Sequence, residues 1–83
     1  MRFLAKVHVT LKEGVLDPQG KAVAQGLIAM GYEEVGEVRV GRFITLRLEA
    51  EGREQAAARV DEMCRRLLAN PVVEEYRFEL EEV

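Results

Sequence analysis

Apolar and polar residues alternate along the first dozen positions. Phe3, Ala5, Val7, Val9 and Leu11 fall on one side, and Lys6, His8, Thr10 and Lys12 on the other, with Leu4 the exception. A period of two over this length predicts a half-buried strand over 2–12. The period then changes. Between Pro18 and Met30, Val23, Leu27 and Met30 recur at helical spacing, and Ala24 and Ile28 widen the stripe. That spacing predicts one amphipathic helix. Asp17 before Pro18 supplies its start, because a carboxylate can accept an orphan amide hydrogen bond and proline is pre-set for the first turn. Gly31 is placed for a left-handed cap at the other end.

Residues 35–40 and 43–50 read as two further strands joined at Gly41-Arg42. A two-residue loop would set Val40 opposite Phe43 and put the two apolar sets on opposite faces. A three-residue loop over 41–43 sets Val40 opposite Ile44 and Val38 opposite Leu46, so the pattern favours that register. A second helix is predicted over 53–69, with Ala56, Val60, Met63, Cys64 and Leu67 as its stripe and Ala57 and Leu68 flanking it. Asn70-Pro71 ends it, since proline disfavours helix in the residue before it. Last comes a strand over 72–80. Val72, Tyr76, Phe78 and Leu80 share one face, broken by Glu74.

The order strand, helix, strand, strand, helix, strand predicts an α+β domain over 1–83. It is a two-layer βαββαβ arrangement of the ferredoxin-like kind, an antiparallel sheet with two helices on one face. The open face would carry Lys6, His8, Thr10, Thr45 and Arg47 with Leu4 and Phe43. A partly apolar open face is a contact surface in so small a protein.

Size and charge narrow the function. A chain of 83 residues buries only about 60% of its unfolded surface, so a lone monomer is marginal. One cysteine, Cys64, allows no intrachain disulfide, and one histidine with one cysteine at no paired spacing argues against a zinc site. Oligomerisation is the remaining source of burial. The formal charge is −3. Residues 1–42 carry 6 basic and 5 acidic groups, and residues 43–83 carry 6 and 10. That balance disfavours a nucleic-acid surface. No apolar run reaches membrane-spanning length. A free thiol and no targeting segment point to the cytoplasm.

Few residues invite a chemical role. His8 lies mid-strand without a neighbouring acid or nucleophile, and reads as a surface or interface histidine. Cys64 sits in the helical stripe and reads as a small buried apolar residue. Glu33-Glu34, Glu74-Glu75 and Glu81-Glu82 are adjacent in sequence, which in a strand points them to opposite faces; they read as solvated charge. The run Gly14 to Gly20 matches neither common phosphate-loop pattern, and Asp17 at the cap would repel a phosphate. It reads as a structural turn, or as a docking loop for a partner protein. Gly41-Arg42, near Arg39 and Arg47, reads as a solvated turn or a contact for an acidic surface.

Three runs together resemble one family. They are Leu11-Lys12-Glu13-Gly14-Val15-Leu16-Asp17-Pro18-Gln19-Gly20, then Val38-Arg39-Val40-Gly41-Arg42, then Met63-Cys64-Arg65-Arg66-Leu67-Leu68-Ala69-Asn70-Pro71-Val72-Val73-Glu74. The chain is similar over nearly its whole length to the PurS family, the small subunit of phosphoribosylformylglycinamidine synthase. Arg42 stands where lysine is as readily expected, which leaves the charge in place. The resemblance implies a role in de novo purine (IMP) biosynthesis. There a synthetase subunit uses ATP and magnesium to activate the amide oxygen of formylglycinamide ribonucleotide, and a glutaminase subunit releases ammonia. The small subunit is implied to be a non-catalytic bridge between the two, aiding ammonia transfer, with no cofactor of its own. It is also implied to be a homo-oligomer, a dimer or dimer of dimers. Residues 72–80 follow a helix that ends abruptly, and the strand pattern leaves open whether they pair within one chain or across a dimer. Candidate partner contacts are Asp17 and Gln19 in the turn, Arg39 and Arg42 at the hairpin, and Lys12 and Asn70 in the flanking runs.

Three other functions share parts of this pattern. An acylphosphatase needs an arginine in a glycine-rich loop after the first strand, where this chain has Asp17. A ligand-binding regulatory module of the ACT type would bind an amino acid at an oligomer interface. An RNA-binding sheet needs paired central aromatics, which are absent.

Overall fold

The backbone follows the change of period. In a computed structural model describing residues 1–83, β1 (Arg2–Leu11) leads to α1 (Pro18–Ala29), β2 (Arg42–Glu49), α2 (Arg53–Met63) and β3 (Glu74–Glu82). A five-residue π turn, Cys64–Leu68, extends α2. The strands form one antiparallel sheet in the order β2-β1-β3. The α+β class with helices to one face of an antiparallel sheet therefore holds, with three strands in the chain's own sheet.

Phe3, Ala5, Val7 and Val9 on β1 are fully buried, and Ala5, Val7 and Val9 cluster with Val60 of α2, Cys64 of the π turn and Ala69. Ile44, Leu46 and Leu48 lie beside them on β2, and Tyr76, Phe78 and Leu80 on β3. The alternation of β1 is thus the core. Its other face carries Lys6, His8 and Thr10, with His8 tilted against Phe43 at a ring separation of 4.9 Å. The cap residues also behave as their chemistry requires. Gly31 adopts φ +103°, the Gly31 amide donates to Ile28 and the Tyr32 amide to Leu27. These two bonds close the helix end in the reciprocal pattern that glycine permits.

Three expectations are corrected, and one open point is resolved. Residues 35–40 form no strand, and no hairpin closes over 41–43: Arg42 already pairs with Val9 of β1. The α1 stripe is not buried in this chain, since Val23, Ile28 and Met30 are exposed and Gly20 is the one buried residue of the helix. Of the two pairings left open for residues 72–80, the structure shows β3 paired with β1 of the same chain. Finally, Leu67 is 84% exposed and Val72 78%. The π turn supplies the reason for Leu67. The Ala69 amide donates to Cys64 across five residues, so one extra residue enters the turn. Leu68 and Ala69 then take the inward positions that α geometry would give to Leu67 and Leu68. Val72 lies in a tight turn before β3 begins.

The outcome is an elongated molecule. The radius of gyration is 16.3 Å and the extents are 51 × 27 × 14 Å, whereas a compact chain of this length has a radius near about 12 Å. The difference comes from α1 and residues 31–41, which reach away from the sheet.

Candidate docking site at the loop end of the sheet

The six candidate contact residues gather where β1 ends and α1 begins, around two polar nodes. The first is built on Asp17. Its Oδ1 accepts the Gly20 amide at 2.8 Å, which caps α1, and its Oδ2 accepts the Val40 amide at 2.9 Å. One carboxylate therefore starts the helix and fastens the segment before β2. Asp17 is 7% exposed. The two amide bonds, Gly20 first, hold its carboxyl below the ordinary range; bonding to the charged form favours it.

Gly20 belongs to the same node. A Cβ there would sit 2.0 Å from the Val38 carbonyl oxygen, so only glycine lets residues 38–40 lie on the helix start. Arg39 locks the opposite side. Its guanidinium donates to the carbonyls of Val15 at 3.1 Å and Lys12 at 3.0 Å, with Glu37 at 3.5 Å. Within the run Asp17-Pro18-Gln19-Gly20, three residues thus have internal tasks. Gln19 is exposed, and its side chain bonds to nothing in the chain.

The second node explains the charge that interrupts the last strand. Glu74 takes both arms of the Arg42 guanidinium, at 2.7 and 3.1 Å, and accepts the Asn70 amide at 2.7 Å. Arg42 also donates to the Leu68 carbonyl at 2.7 Å, satisfying an oxygen left over at a helix end. Glu74 is held below its ordinary value, first by Arg42 and then by the Asn70 amide. The Asn70 side-chain oxygen accepts the Val72 amide at 3.1 Å, turning the chain into β3.

Between the nodes lies a cleft of about 260 Å³, lined by Thr10, Gln19, Gly41, Arg42 and Glu74 among others. Asp17, Arg39, Arg42 and Asn70 thus shape the cleft and its loops through internal bonds. Gln19 and the ammonium of half-buried Lys12 make no such bonds.

A further polar link was not legible beforehand. The Tyr76 hydroxyl donates to Asp61 Oδ1 at 2.6 Å, and Arg65 donates to Oδ2 at 3.0 Å. Both bonds, Tyr76 first, lower the Asp61 pKa. The available signal was a tyrosine on the core face of β3, whose hydroxyl needs a partner. Cys64 is fully buried, and burial pushes its thiol pKa up, as expected for a packing residue rather than a reactive one. No three His, Cys, Asp or Glu side chains are grouped to hold a metal, and no helix is long and apolar enough to cross a membrane.

Comparison with known proteins bears on the whole of this chain. The family model for PurS, phosphoribosylformylglycinamidine (FGAM) synthase, matches residues 4–82. The phosphoribosylformylglycinamidine synthase subunit PurS of Bacillus subtilis is 51% identical over 81 residues, covering 98% of this chain and 95% of that protein. The structure of Thermus thermophilus PurS is 42% identical with a TM-score of 0.87, covering 100% of this chain and 99% of the other. A chain in the structure of PurLQS from Thermotoga maritima is 34% identical with a TM-score of 0.89, covering 98% and 99%. From end to end, with the Asp17 clamp and its cleft included, the chain belongs to the PurS family of phosphoribosylformylglycinamidine synthase subunits.

Proposed function

We propose that this chain is the non-catalytic small subunit of phosphoribosylformylglycinamidine synthase in purine biosynthesis, seating the ATP-dependent synthetase subunit and the glutaminase subunit together. The observation that carries the reading is the structural alignment of 98% of this chain, at 34% identity, with a chain in the structure of PurLQS from Thermotoga maritima. ATP and magnesium belong to the synthetase partner, and the assembly works in the cytoplasm. This chain is a homo-oligomer within it, because α1 and the neighbouring segment leave apolar surface uncovered.

The cleft is the docking site in this reading. Gln19 and Lys12 touch a partner directly, while Asp17, Arg39, Arg42 and Asn70 hold the loops that present them. Reconstitution tests it. The synthetase and glutaminase subunits are assayed with and without this chain, on glutamine and on ammonia. Glutamine-dependent turnover should require the chain and ammonia-dependent turnover should not. Full glutamine-dependent turnover without it would overturn the proposal.

A further inference from the structure

Two clefts meet at Asp17. Besides the one lined by Gln19 and Arg42, a second and larger cleft of about 470 Å³ opens on the other side of the clamp. Asp17 is the only residue that lines both. The second cleft runs between the loop after β1, the first turns of α1 and residues 36–39. Four apolar residues line it, Val15, Leu16, Ala24 and Val38, together with Lys21.

The loop on its rim is fixed at both ends. Gly14 takes φ +84°, and the Val15 amide donates to the Lys12 carbonyl at 3.1 Å, which closes a tight turn. Arg39 reaches over from the opposite wall and donates to the carbonyls of Lys12 and Val15 at 3.0 and 3.1 Å. Beyond the loop comes Asp17, bonded to the Gly20 and Val40 amides. Leu16 stands between these two fixed points, yet it is 73% exposed. A leucine already held in place loses little further freedom when a partner covers it.

The charges around the cleft differ in what they are free to do. Both oxygens of Asp17 accept amides. Glu37 lies 3.5 Å from Arg39, and Arg39 is engaged with the loop carbonyls. Lys21 is exposed and makes no ion pair or side-chain hydrogen bond in the chain. The cleft therefore offers apolar contact and one uncommitted cation. The Gln19 cleft has a different chemistry: its ion pair, Arg42 with Glu74, is satisfied internally, and its free group is a neutral amide. Surfaces of different chemistry discriminate between partners, and a subunit that seats two different proteins needs two of them.

A second copy of the chain suits this cleft poorly. Val23, on the exposed stripe of α1, lies about 160° round the helix from Lys21 at about 100° per residue. Copies that meet through the stripe leave the cleft open. An isologous contact through the cleft itself would set the same free cation on both sides, with no free carboxylate in the groove to answer it.

We propose that this second cleft seats the partner subunit that the Gln19 cleft does not hold. It takes an apolar side chain flanked by a carboxylate, with Leu16 as the apolar anchor and Lys21 as the ionic one. This rests on the bridging reading above and divides its two partners between the two sides of Asp17.

The test captures the synthetase and glutaminase subunits together on the full-length chain and measures how much of each is retained. The variants are Leu16→Ser, Lys21→Glu, Lys21→Arg and Gln19→Ala. Melting and sedimentation of each chain alone run in parallel; a carboxylate in the first turn of a helix is well tolerated, so Lys21→Glu should fold. Leu16→Ser and Lys21→Glu should each weaken retention of the same single subunit by roughly ten- to a hundredfold, as the loss of one buried leucine implies. Lys21→Arg should behave as the parent does, and Gln19→Ala should weaken the other subunit. Full retention of both subunits by Leu16→Ser and Lys21→Glu would overturn the proposal. So would loss of the subunit that Gln19→Ala releases, which would make the two clefts one surface. A change in the sedimentation of Leu16→Ser alone would assign the cleft to a second copy and overturn it as well. Silence of Gln19→Ala, with one subunit still lost in Leu16→Ser and Lys21→Glu, would uphold this cleft and remove the other. A parent chain that retains neither subunit would overturn the bridging reading and this proposal with it.

Discussion

Two glycines of α1 should respond to the same substitution with opposite signs. In an open helical site, Gly→Ala stabilises by roughly 0.5–1 kcal/mol, because glycine loses more backbone entropy on folding. Gly26 is such a site, with nothing within 4 Å of an added Cβ. Gly20 is not. Its Cβ would lie 2.0 Å from the Val38 carbonyl oxygen and 3.0 Å from Asp17 Cγ. Relief requires residues 38–40 to retreat by about 1 Å or more, since real Cβ contacts fall above about 3 Å. That retreat stretches the Val40–Asp17 bond, now 2.9 Å, beyond hydrogen-bonding reach. A bond to a charged acceptor contributes about 1.5–3 kcal/mol. The loss outweighs the helical gain, leaving Gly20→Ala about 0.5–2.5 kcal/mol less stable. For a domain of this size each kcal/mol moves the melting temperature by roughly 4–8 °C. Both variants should be melted at one fixed protomer concentration, because association shifts apparent stability. Gly26→Ala should melt above the parent and Gly20→Ala below it. A Gly20→Ala chain that gains as much as Gly26→Ala would refute the close packing of residues 38–40 on the helix start.

Asp17→Asn should lower the melting temperature, although asparagine caps as well as aspartate, because its amide nitrogen would face the Val40 amide that Oδ2 now accepts; an unchanged melt would remove the clamp. Stability should fall on acidification from about pH 5, since Asp17, Asp61 and Glu74 are all held below their unfolded values. Their contribution is complete above the unfolded pKa and is lost as pH drops toward the folded one, so Glu74→Gln should flatten the acid limb of a stability–pH curve. Cys64 should resist a thiol reagent in the folded protein and react on unfolding, measured by thiolate release; fast labelling of the native chain would contradict its burial. Gln19→Ala should leave the melt unchanged and weaken assembly with the synthetase and glutaminase subunits, measured by co-purification; intact assembly would return Gln19 to a solvated first turn.

Sequence and structure agree where a period has one physical meaning. The alternation of Phe3, Ala5, Val7 and Val9 could only be a strand with one buried face. Asp17-Pro18 could hardly be anything but a helix start. Failures fall where a pattern needs a partner that a linear reading cannot supply. Val38 and Val40 alternate as a strand should, yet alternation does not say which strand they pair with, and they form no ladder with the chain's own β2. The α1 stripe reads as a buried face for the same reason, and only the fold shows it uncovered. Leu67 failed differently: periodicity assumes a constant rise and turn, and the π turn breaks that assumption without any special residue. The candidate site was legible as a location. The roles within it were not, because a carboxylate at a helix start gives no sign that its second oxygen reaches 23 positions along the chain.

The π turn at the end of α2 amounts to one surplus residue, held where the helix can absorb it. Cys64 on one side and Leu68 and Ala69 on the other are placed by the core, and Arg65 is tied to Asp61; Arg66 and Leu67 only need to span the distance. An ordinary α turn spans it with one residue fewer. This stretch should therefore tolerate loss of a single residue that would be ruinous in β1, where the same deletion would turn every later side chain to the wrong face. Removing Arg66 would restore the simple helical spacing, keep Leu68 and Ala69 inward, and cost only an exposed ion pair with Glu62. Length variation in such a small domain is usually sought in its loops; here the helix itself has slack.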